Sequence, residues 1–300
     1  MLGKGSGIRD PGSGIRDPGS EAGPTVPSSD VSVALRFCSV YFPVDDLNDP
    51  RLDDYRNVPD ADLLARRGIF VAEGRLVVRR LLISSRFATR SVLVTPTAHE
   101  ALKDLLDDRD VPVFVVPQTL LNDITGFNIH RGCLAIGVRG AELDWRTLPA
   151  HSPLVVVERV ANADNIGAIF RNAAAFGAAG VLLERSCTDP LYRKAIRTSM
   201  GAALSVPFAR LEPWPDLLDA LRREGITLIA LTPGAADTID AVARTVRGHR
   251  VALLVGHEGD GLSAAAIAAC HHLARIPIAD GVDSLNVATA AGIGLYEIQR

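Results

Sequence analysis

The chain has 300 residues, of which 47% are hydrophobic and 22% charged, and its formal net charge at pH 7 is −3. This composition predicts a globular protein with enough apolar side chain for two domains. It excludes a disordered regulator and a protein that coats nucleic acid over its whole surface. No apolar run reaches the roughly 18 residues of a membrane helix, and the first thirty residues lack the pattern of a secretion signal, so we expect a soluble, cytoplasmic protein without a membrane partner.

The start of the chain contains a tandem repeat of the heptapeptide GSGIRDP, at residues 5–11 and 12–18. Residues 1–30 are poor in aliphatic and aromatic side chains, which predicts a disordered tail. Residues 31–51 form an N-terminal extension in which Val31–Val44 has the composition of a strand, and an acidic stretch follows it.

Residues 52–140 are predicted to form a small α/β domain. Residues 63–84 have the pattern of a helix, a strand and a second helix. Strands are expected at Ser91–Val94, Val111–Val116 and Cys133–Val138, with a helix at Ala98–Leu106.

The same segment is rich in arginine. Between residues 66 and 90 the only acid is Glu73, whereas the arginines are Arg66, Arg67, Arg75, Arg79, Arg80, Arg86 and Arg90. Such a cluster produces a positive field suited to phosphate, and Arg75, Arg79 and Arg80 are the candidate RNA-binding residues. A solvated face of salt bridges is the alternative interpretation.

Residues 141–153 mix charged residues with turn formers and are predicted to be a linker to a second domain, residues 154–300. In that domain apolar runs of strand length alternate with helical patterns, which predicts a mostly parallel sheet covered on both faces. The expected elements are Leu154–Val157, Ile166–Phe176, Val181–Leu183, Leu191–Met200, Val206–Ala209, Leu217–Arg223, Thr227–Leu231, Val251–Val255, Ala264–Ala269, Ala274–Pro277 and a last helix from Asn286.

Neither the G-x-G-x-x-G fingerprint of dinucleotide-binding domains nor the G-x-x-x-x-G-K-[ST] phosphate loop occurs, which disfavours a dehydrogenase or a nucleotide triphosphatase. Three polar loops follow predicted strands instead, where open α/β sheets bind ligands. They lie in residues 158–177, 253–263 and 276–292. In the second loop, glycines around Glu258 let the backbone approach a ligand closely, and Ser263 is placed to cap the helix that follows. In the third loop, Ser284 or Asn286 is placed to cap the last helix.

These loops resemble the motifs of the SpoU (TrmH-like) RNA 2'-O-methyltransferases of the SPOUT superfamily, over about residues 70–298. The three motifs occur in the family's order and spacing, and residues 196–202 and 125–137 resemble further segments of the family. The matching residues are Asn165, Arg171, Phe176 and Gly177 in the first, Gly256, Glu258, Gly261 and Leu262 in the second, and Ile276, Pro277, Ser284, Leu285, Asn286 and Val287 in the third. His257 and Asp280 depart from the family's usual Asn and Gly.

The resemblance implies an α/β fold in which a C-terminal SPOUT domain with a parallel sheet and a trefoil knot follows a small α/β RNA-binding domain. It also implies S-adenosylmethionine as cofactor and a homodimer that completes the active site. The implied cofactor-binding residues are Leu231, Gly256, Ile276, Ile278 and Leu285, and the implied catalytic residues are Arg171, Asn165, Glu258, Ser284 and Asn286.

The expected reaction is methylation of a ribose 2'-hydroxyl in RNA, and the two-domain layout favours ribosomal RNA over transfer RNA by analogy alone. Because a guanidinium is effectively always protonated, Arg171 is expected to bind phosphate and stabilise the developing alkoxide instead of acting as the base. A methyltransferase for transfer RNA and a non-catalytic RNA-binding protein of ribosome assembly are the alternatives. No metal is expected, because the four cysteines (Cys38, Cys133, Cys187 and Cys270) form no CxxC pair and are expected to be small buried residues.

Overall fold

The computed structural model describes residues 41–56, 58–107, 109–126, 129 and 132–300. The predicted tail, its tandem repeat, Cys38 and residues 31–40 of the extension lie outside the described residues.

The first sheet has five strands in the order β1-β4-β3-β5-β2. Its three strands β1, β4 and β3 are parallel, whereas β5 runs antiparallel to both of its neighbours. The strands are β1 (Tyr41–Pro43), β2 (Ile69–Glu73), β3 (Ala88–Val94), β4 (Val113–Val115) and β5 (Cys133–Val138). The helices are α1 (Asp60–Asp62), which a π-helical turn continues to Arg67, α2 (Arg75–Ser84), α3 (Pro96–Leu106) and α4 (Gln118–Thr125).

The folded part of the chain reaches further towards the N-terminus than residue 52. Strand β1 pairs with β4, and a 3-10 turn at Pro50–Tyr55 packs Leu52 and Tyr55 into the core of the first sheet. The Tyr55 hydroxyl is hydrogen-bonded to Ser91 at 2.6 Å. Part of the predicted extension therefore belongs to this sheet, as its edge strand β1. The sequence did not show this, because a strand of three residues is too short for a periodic pattern.

The second sheet has seven strands, all parallel, in the order β10-β12-β9-β11-β6-β7-β8. The strands are β6 (Leu154–Val157), β7 (Gly180–Glu184), β8 (Phe208–Leu211), β9 (Thr227–Leu231), β10 (Asp237–Thr238), β11 (Val251–Val255) and β12 (His272–Arg275). The helices are α5 (Ala163–Ala175), α6 (Arg193–Thr198), α7 (Asp216–Arg223), α8 (Ile239–Thr245), α9 (Ala264–Ala269) and α10 (Val287–Gln299).

Helices cover both faces of this sheet, as its continuous apolar strands predict. In β6, Val155 and Val157 face one hydrophobic cluster with α5 and α10, and Leu154 and Val156 face another with α7 and α9. The mostly parallel α/β architecture predicted from the sequence is confirmed. The helix predicted at Leu191–Met200 is shorter, because the backbone turns through left-handed conformations at Met200 and Gly201.

One hydrophobic core continues from the first sheet to the second. Four aromatic rings lie in a row across the boundary, with centroid separations of 5.2 Å (Phe70 to Phe87), 6.2 Å (Phe87 to Phe208) and 5.7 Å (Phe208 to Phe170). The two parts are therefore packed against each other instead of being joined only by the linker.

Among the described residues, no helix is both long and apolar enough to cross a bilayer. The same residues contain no group of three His, Cys, Asp or Glu side chains that could hold a metal ion.

Candidate active site

The candidate site lies at the carboxyl edge of the second sheet. Strands β12, β9, β11 and β6 are adjacent and parallel, so the loops that follow them meet at this edge, where open parallel sheets bind ligands. The three polar loops singled out in the sequence therefore converge, and a fourth loop, after β9, joins them.

A cavity of about 270 Å³ opens between these loops. Apolar side chains from the strand ends form its walls, and the backbone of the glycine-rich loop forms one side. The residues lining it include all five that the resemblance implies for the cofactor: Leu231, Gly256, Ile276, Ile278 and Leu285. The fold thus brings these five residues to one place.

Gly256 is required by the packing of its own loop. A Cβ atom there would lie 2.5 Å from the Gly261 carbonyl carbon and 2.6 Å from the Leu262 nitrogen, closer than any side chain tolerates. Gly261 has φ +69°, a conformation that favours glycine. The loop is therefore folded back on itself at the wall of the cavity.

A chain of polar side chains ties the first, second and third loops together. Asn165 donates a hydrogen bond to the Glu258 carboxylate and accepts one from Asn286 at 2.8 Å. The Asn286 Oδ1 atom also accepts from the backbone N–H groups of Ala288 and Thr289, at 2.9 and 3.2 Å. Asn286 is thus the cap of α10, and one network links three of the predicted catalytic residues.

Arg171 and Ser284 stand outside this network. Ser284 is exposed, lines the cavity and does not cap α10. Arg171 lies on α5, six residues after Asn165, with its side chain exposed, and it makes no hydrogen bond or ion pair with any of the described residues. The predicted catalytic residues therefore do not contact Arg171 directly, and its guanidinium is open to a ligand.

Glu158 is a buried acid beside the site that the sequence did not single out. It follows β6 directly and is 2% exposed. Its two carboxylate oxygens accept hydrogen bonds from the Trp214 ring nitrogen at 2.8 Å and from the Ser263 backbone nitrogen at 2.7 Å. Ser263 also caps α9 by accepting from the Ala266 N–H, as predicted. Glu158 therefore anchors the far end of the glycine-rich loop. The signal for it in the sequence was an acid directly after a wholly apolar strand.

Arg159 also contacts the glycine-rich loop. Its backbone has φ +56°, rare for a residue with a side chain, and its guanidinium donates to the Gly261 carbonyl at 3.3 Å and lies 3.8 Å from Asp260. Strained backbone of this kind often accompanies functional sites.

Asp164, next to Asn165, carries a charge that the fold already satisfies. Hydrogen bonds from Lys194 and from Thr198 lower the pKa of Asp164, and the positive charges of Lys194 and Arg197 lower it further. The distances are 2.8 Å to the Lys194 nitrogen and 2.9 Å to the Thr198 hydroxyl. Asp164 thus ties α5 to α6 as a carboxylate.

The two departures from the family pattern lie in different settings. His257 lines the cavity, and its Nδ1 atom accepts from the backbone N–H groups of Gly259 and Asp260 at 3.0 and 3.2 Å. It therefore shapes the glycine-rich loop as an acceptor, a role that an Asn side chain could also fill. Asp280 is exposed and does not line the cavity.

The three candidate RNA-binding arginines of α2 differ from one another. Arg79 forms a two-pronged ion pair with Asp104, at 2.9 and 3.1 Å. The aliphatic part of the Arg80 side chain packs over Gly201, in the turn that follows α6. Arg75 is exposed and makes no bond with the described residues. Of the three, Arg79 alone is ion-paired, whereas the guanidinium groups of Arg75 and Arg80 have no hydrogen bond or ion pair with the described residues.

Comparisons with known proteins agree with this geometry. The model of the SpoU rRNA Methylase family matches residues 152–296. An uncharacterized tRNA/rRNA methyltransferase of Mycobacterium tuberculosis (strain ATCC 25618 / H37Rv) is 41% identical over 261 residues, which cover 85% of this chain and 90% of the relative.

Solved structures are similar over both sheets. The AdoMet-bound rRNA methyltransferase of Sinorhizobium meliloti superposes with a TM-score of 0.75 and 26% identity, covering 87% of this chain and 98% of that one. The SpoU methyltransferase AviRb of Streptomyces viridochromogenes, in complex with AdoMet, superposes with a TM-score of 0.71 and 26% identity, covering 84% and 97%. The chain belongs to the SpoU family of RNA methyltransferases.

Proposed function

We propose that this member of the SpoU family transfers a methyl group from S-adenosylmethionine to a ribose 2'-hydroxyl of RNA, and that ribosomal RNA is its substrate. The observation that carries the proposal is the free, exposed guanidinium of Arg171, on the same helix as the Asn165 network that borders the cofactor cavity. One of the similar structures, 25% identical with a TM-score of 0.68, is an RNA 2'-O ribose methyltransferase, and the Sinorhizobium enzyme is an rRNA methyltransferase.

S-adenosylmethionine is the cofactor of this chain, and the cavity suits it. Apolar walls from Leu231, Ile276 and Leu285 fit the flat adenine ring, and the tightly folded backbone at Gly256 lets main-chain groups approach a ligand closely. The bound sulfonium supplies an already activated methyl group. The chain therefore has to exclude water, hold the acceptor ribose in line and stabilise the charge that develops on its oxygen.

Arg171 is the residue we assign to that charge. A guanidinium offers five N–H donors and no acceptor, so Arg171 donates hydrogen bonds to a phosphate and to the developing alkoxide instead of taking the proton. Asn165, Glu258 and Asn286 hold the first, second and third loops in register around the reacting groups. Ser284 lines the cavity, has no hydrogen bond with any described residue and is placed to contact a ligand.

The trefoil knot and the homodimer implied by the resemblance are part of the same proposal. Tyr296 of α10 is 49% exposed and stacks edge-on against Phe176 at the end of α5. An exposed aromatic pair on neighbouring helices is the kind of anchor that dimer interfaces use.

Two alternatives remain distinct from this proposal. Methylation of transfer RNA uses the same site and differs only in the RNA bound, so mapping 2'-O-methyl groups in ribosomal and transfer RNA from cells with and without the gene separates the two. A non-catalytic assembly protein would not need the Arg171 guanidinium free or the cofactor cavity open, and calorimetry with S-adenosylmethionine tests it.

Replacing Arg171 tests the mechanism. Arg171→Ala should leave cofactor affinity nearly unchanged and slow single-turnover methyl transfer by about a hundredfold or more, as removal of an oxyanion donor does. Arg171→Lys should restore little if the planar guanidinium positions a phosphate through two hydrogen bonds, because an ammonium is a point charge.

The opposite results are equally informative. A pH-dependent recovery in Arg171→Lys would indicate that deprotonation at this position is the essential act. Turnover like that of the unaltered enzyme in Arg171→Ala would contradict the catalytic assignment.

A further inference from the structure

The second sheet's arginines fall into two groups. In residues 154–300 most guanidinium groups are engaged by carboxylates or backbone carbonyls. Those that make no hydrogen bond or ion pair with the described residues are Arg171, Arg197, Arg247 and Arg300. Arg171 is the proposed catalytic residue, and Arg197 lies on the helix packed against its own.

Arg197 lies beside the catalytic helix. Its helix, α6, packs so closely on α5 that a Cβ at Gly167 would lie 2.6 Å from the Ala195 carbonyl oxygen. Arg197 is exposed, and its charge acts on Asp164, the residue two turns before Arg171 on the same face of α5. Asp164 forms its ion pair with Lys194 at 2.8 Å, and neither Arg171 nor Arg197 forms an ion pair or hydrogen bond with a described residue. Two unpaired guanidinium groups therefore lie on these adjacent helices.

The turn that follows Arg197 holds an apolar side chain out of the core. Met200 has φ +55° and is 37% exposed, and with Arg159 it is one of two described non-glycine residues with positive φ. The completely buried Ser199 fixes the turn by donating to the Ile196 carbonyl at 2.8 Å and accepting from the Ala203 N–H at 3.2 Å. The strained, bonded turn therefore presents Met200 instead of burying it.

The exposed surface around Arg197 and Met200 continues onto helix α2, which belongs to the first sheet. A Cβ at Gly201 would lie 2.9 Å from the Arg80 side chain and 3.7 Å from the Val77 backbone, so α2 rests directly on this turn. On the same face of α2 as Arg80 lie Leu76 and Ile83, which are 38% and 57% exposed.

We propose that Arg197, Met200, Leu76 and Ile83 form a surface that binds the single-stranded RNA flanking the methylated nucleotide. Arg197 binds a phosphate next to the target ribose, and the three apolar side chains contact splayed bases. The inference rests on the proposed function, because it presupposes an RNA strand that enters at Arg171.

Single-stranded RNA is the occupant that this combination fits. Its bases are unstacked and present apolar faces, while its backbone carries one negative charge per nucleotide. Arginines without an ion-pair partner, beside exposed apolar side chains, match both features. The surface also links the first sheet to the proposed catalytic groups and does not include the ion-paired Arg79.

Arg197→Ala tests the phosphate contact, with Arg247→Ala as the matched control. Arg247 is also exposed and unpaired among the described residues, but it lies before β11 at the opposite edge of the sheet. With a short, unstructured, fluorescein-labelled RNA of mixed sequence, Arg197→Ala should weaken binding about tenfold and reduce the slope of log affinity against log salt by about 0.7. Arg247→Ala should change neither quantity, and both variants should bind S-adenosylmethionine normally.

Met200→Gly tests the apolar contact without straining the turn, because glycine accepts the same φ. It should weaken RNA binding by about threefold to tenfold with an unchanged salt slope. Unaltered RNA affinity in both Arg197→Ala and Met200→Gly would overturn the surface, as would equal losses in Arg197→Ala and Arg247→Ala. If the unaltered protein binds S-adenosylmethionine but no RNA at low salt, the proposed function itself fails.

Discussion

Arginine side chains are used in opposite ways around the two sheets. In the first sheet, Arg67 and Arg90 share Asp54 at 2.8 and 3.3 Å, and Arg79 pairs with Asp104 at 2.9 Å. On helices α5 and α6 beside the second sheet, Arg171 and Arg197 have no partner among the described residues. The dense cluster is thus largely neutralised, and the sparse one is free.

The density of charged residues along the chain therefore does not measure the electrostatic field that a ligand meets. The window from residue 66 to 90 contains a single acid, but its neutralising partners come from outside it, at Asp54, Asp62 and Asp104. Exposed pairs of this kind add little stability, commonly ~0–1 kcal/mol, yet each removes a positive charge from the surface offered to phosphate.

The largest expected difference between the sheets comes from two glycines at which an added Cβ would lie closer than 3 Å to a neighbouring atom. Gly256→Ala places a methyl group 2.5 Å from the Gly261 backbone and should reduce affinity for S-adenosylmethionine at least about tenfold, because the cavity wall must move. Gly137→Ala places one 2.2 Å from the buried Phe70 ring and should lower the free energy of unfolding by about 1–3 kcal/mol. Folded Gly137→Ala protein should keep its cofactor affinity.

Calorimetric titration and chemical denaturation of both variants measure the two effects. Gly234→Ala, at a glycine with no atom within 4 Å of the added Cβ, is the control for the loops. Normal cofactor affinity in Gly256→Ala would mean that this loop is not the cofactor wall.

An intermediate effect separates the arginines of α2. Arg75→Ala should weaken RNA binding and lower its salt dependence by about one counterion, because Arg75 is unpaired among the described residues. Arg79→Ala should have a smaller effect, because Asp104 already compensates its charge. Replacing Arg75, Arg79 and Arg80 together should flatten the salt dependence while sparing cofactor affinity, and an unchanged slope would place the RNA surface elsewhere.

The smallest effect concerns pH. The Nδ1 atom of His271 accepts a hydrogen bond from the Leu228 N–H at 2.9 Å, where β9 meets β12. Burial lowers the pKa of His271 below 6.5, and the positive charges of Arg222 and His272 lower it further. The neutral ring, which accepts this hydrogen bond, stabilises the folded protein. Because the pKa of His271 is lower in the folded than in the unfolded state, its contribution to stability is present above about pH 6.5 and is lost as the pH falls through the folded pKa.

Hydrogen exchange resolves this loss by region. As the pH falls from neutral to about 5, amides of β9 and β12 should lose protection, after correction for intrinsic exchange, before those of β3 and β5. His271→Asn keeps an acceptor but cannot titrate, so it should remove the difference between the two sheets. An identical pH response in His271→Asn and the unaltered protein would contradict this assignment.

Most of the second sheet could be predicted from the sequence because its strands are buried on both faces. Runs such as Leu154–Val157, Thr227–Leu231 and Val251–Val255 are continuous and apolar, and the observed strands have the same bounds. Strand β10 and helix α8 were not predicted. A two-residue strand carries no periodic signal, and a seven-residue helix shows fewer than two full turns of one.

The motif residues were also visible in the sequence. Asn165, Glu258 and Asn286 are widely separated along the chain, yet they form one hydrogen-bonded network. The polar loops containing them follow parallel strands, and the carboxyl ends of such strands share one edge.

The sequence by itself determined the parallel α/β class, the strands of the second sheet and the loops that carry its polar groups, because hydrophobic periodicity and turn chemistry are local. Only the tertiary structure decided which charges are free. Ion pairs such as Arg79 with Asp104 and Arg193 with Asp60, and the burial of Glu158 against Trp214 and Ser263, join residues far apart in the chain. Their electrostatic energy depends on distance and burial in space, which residue order does not specify.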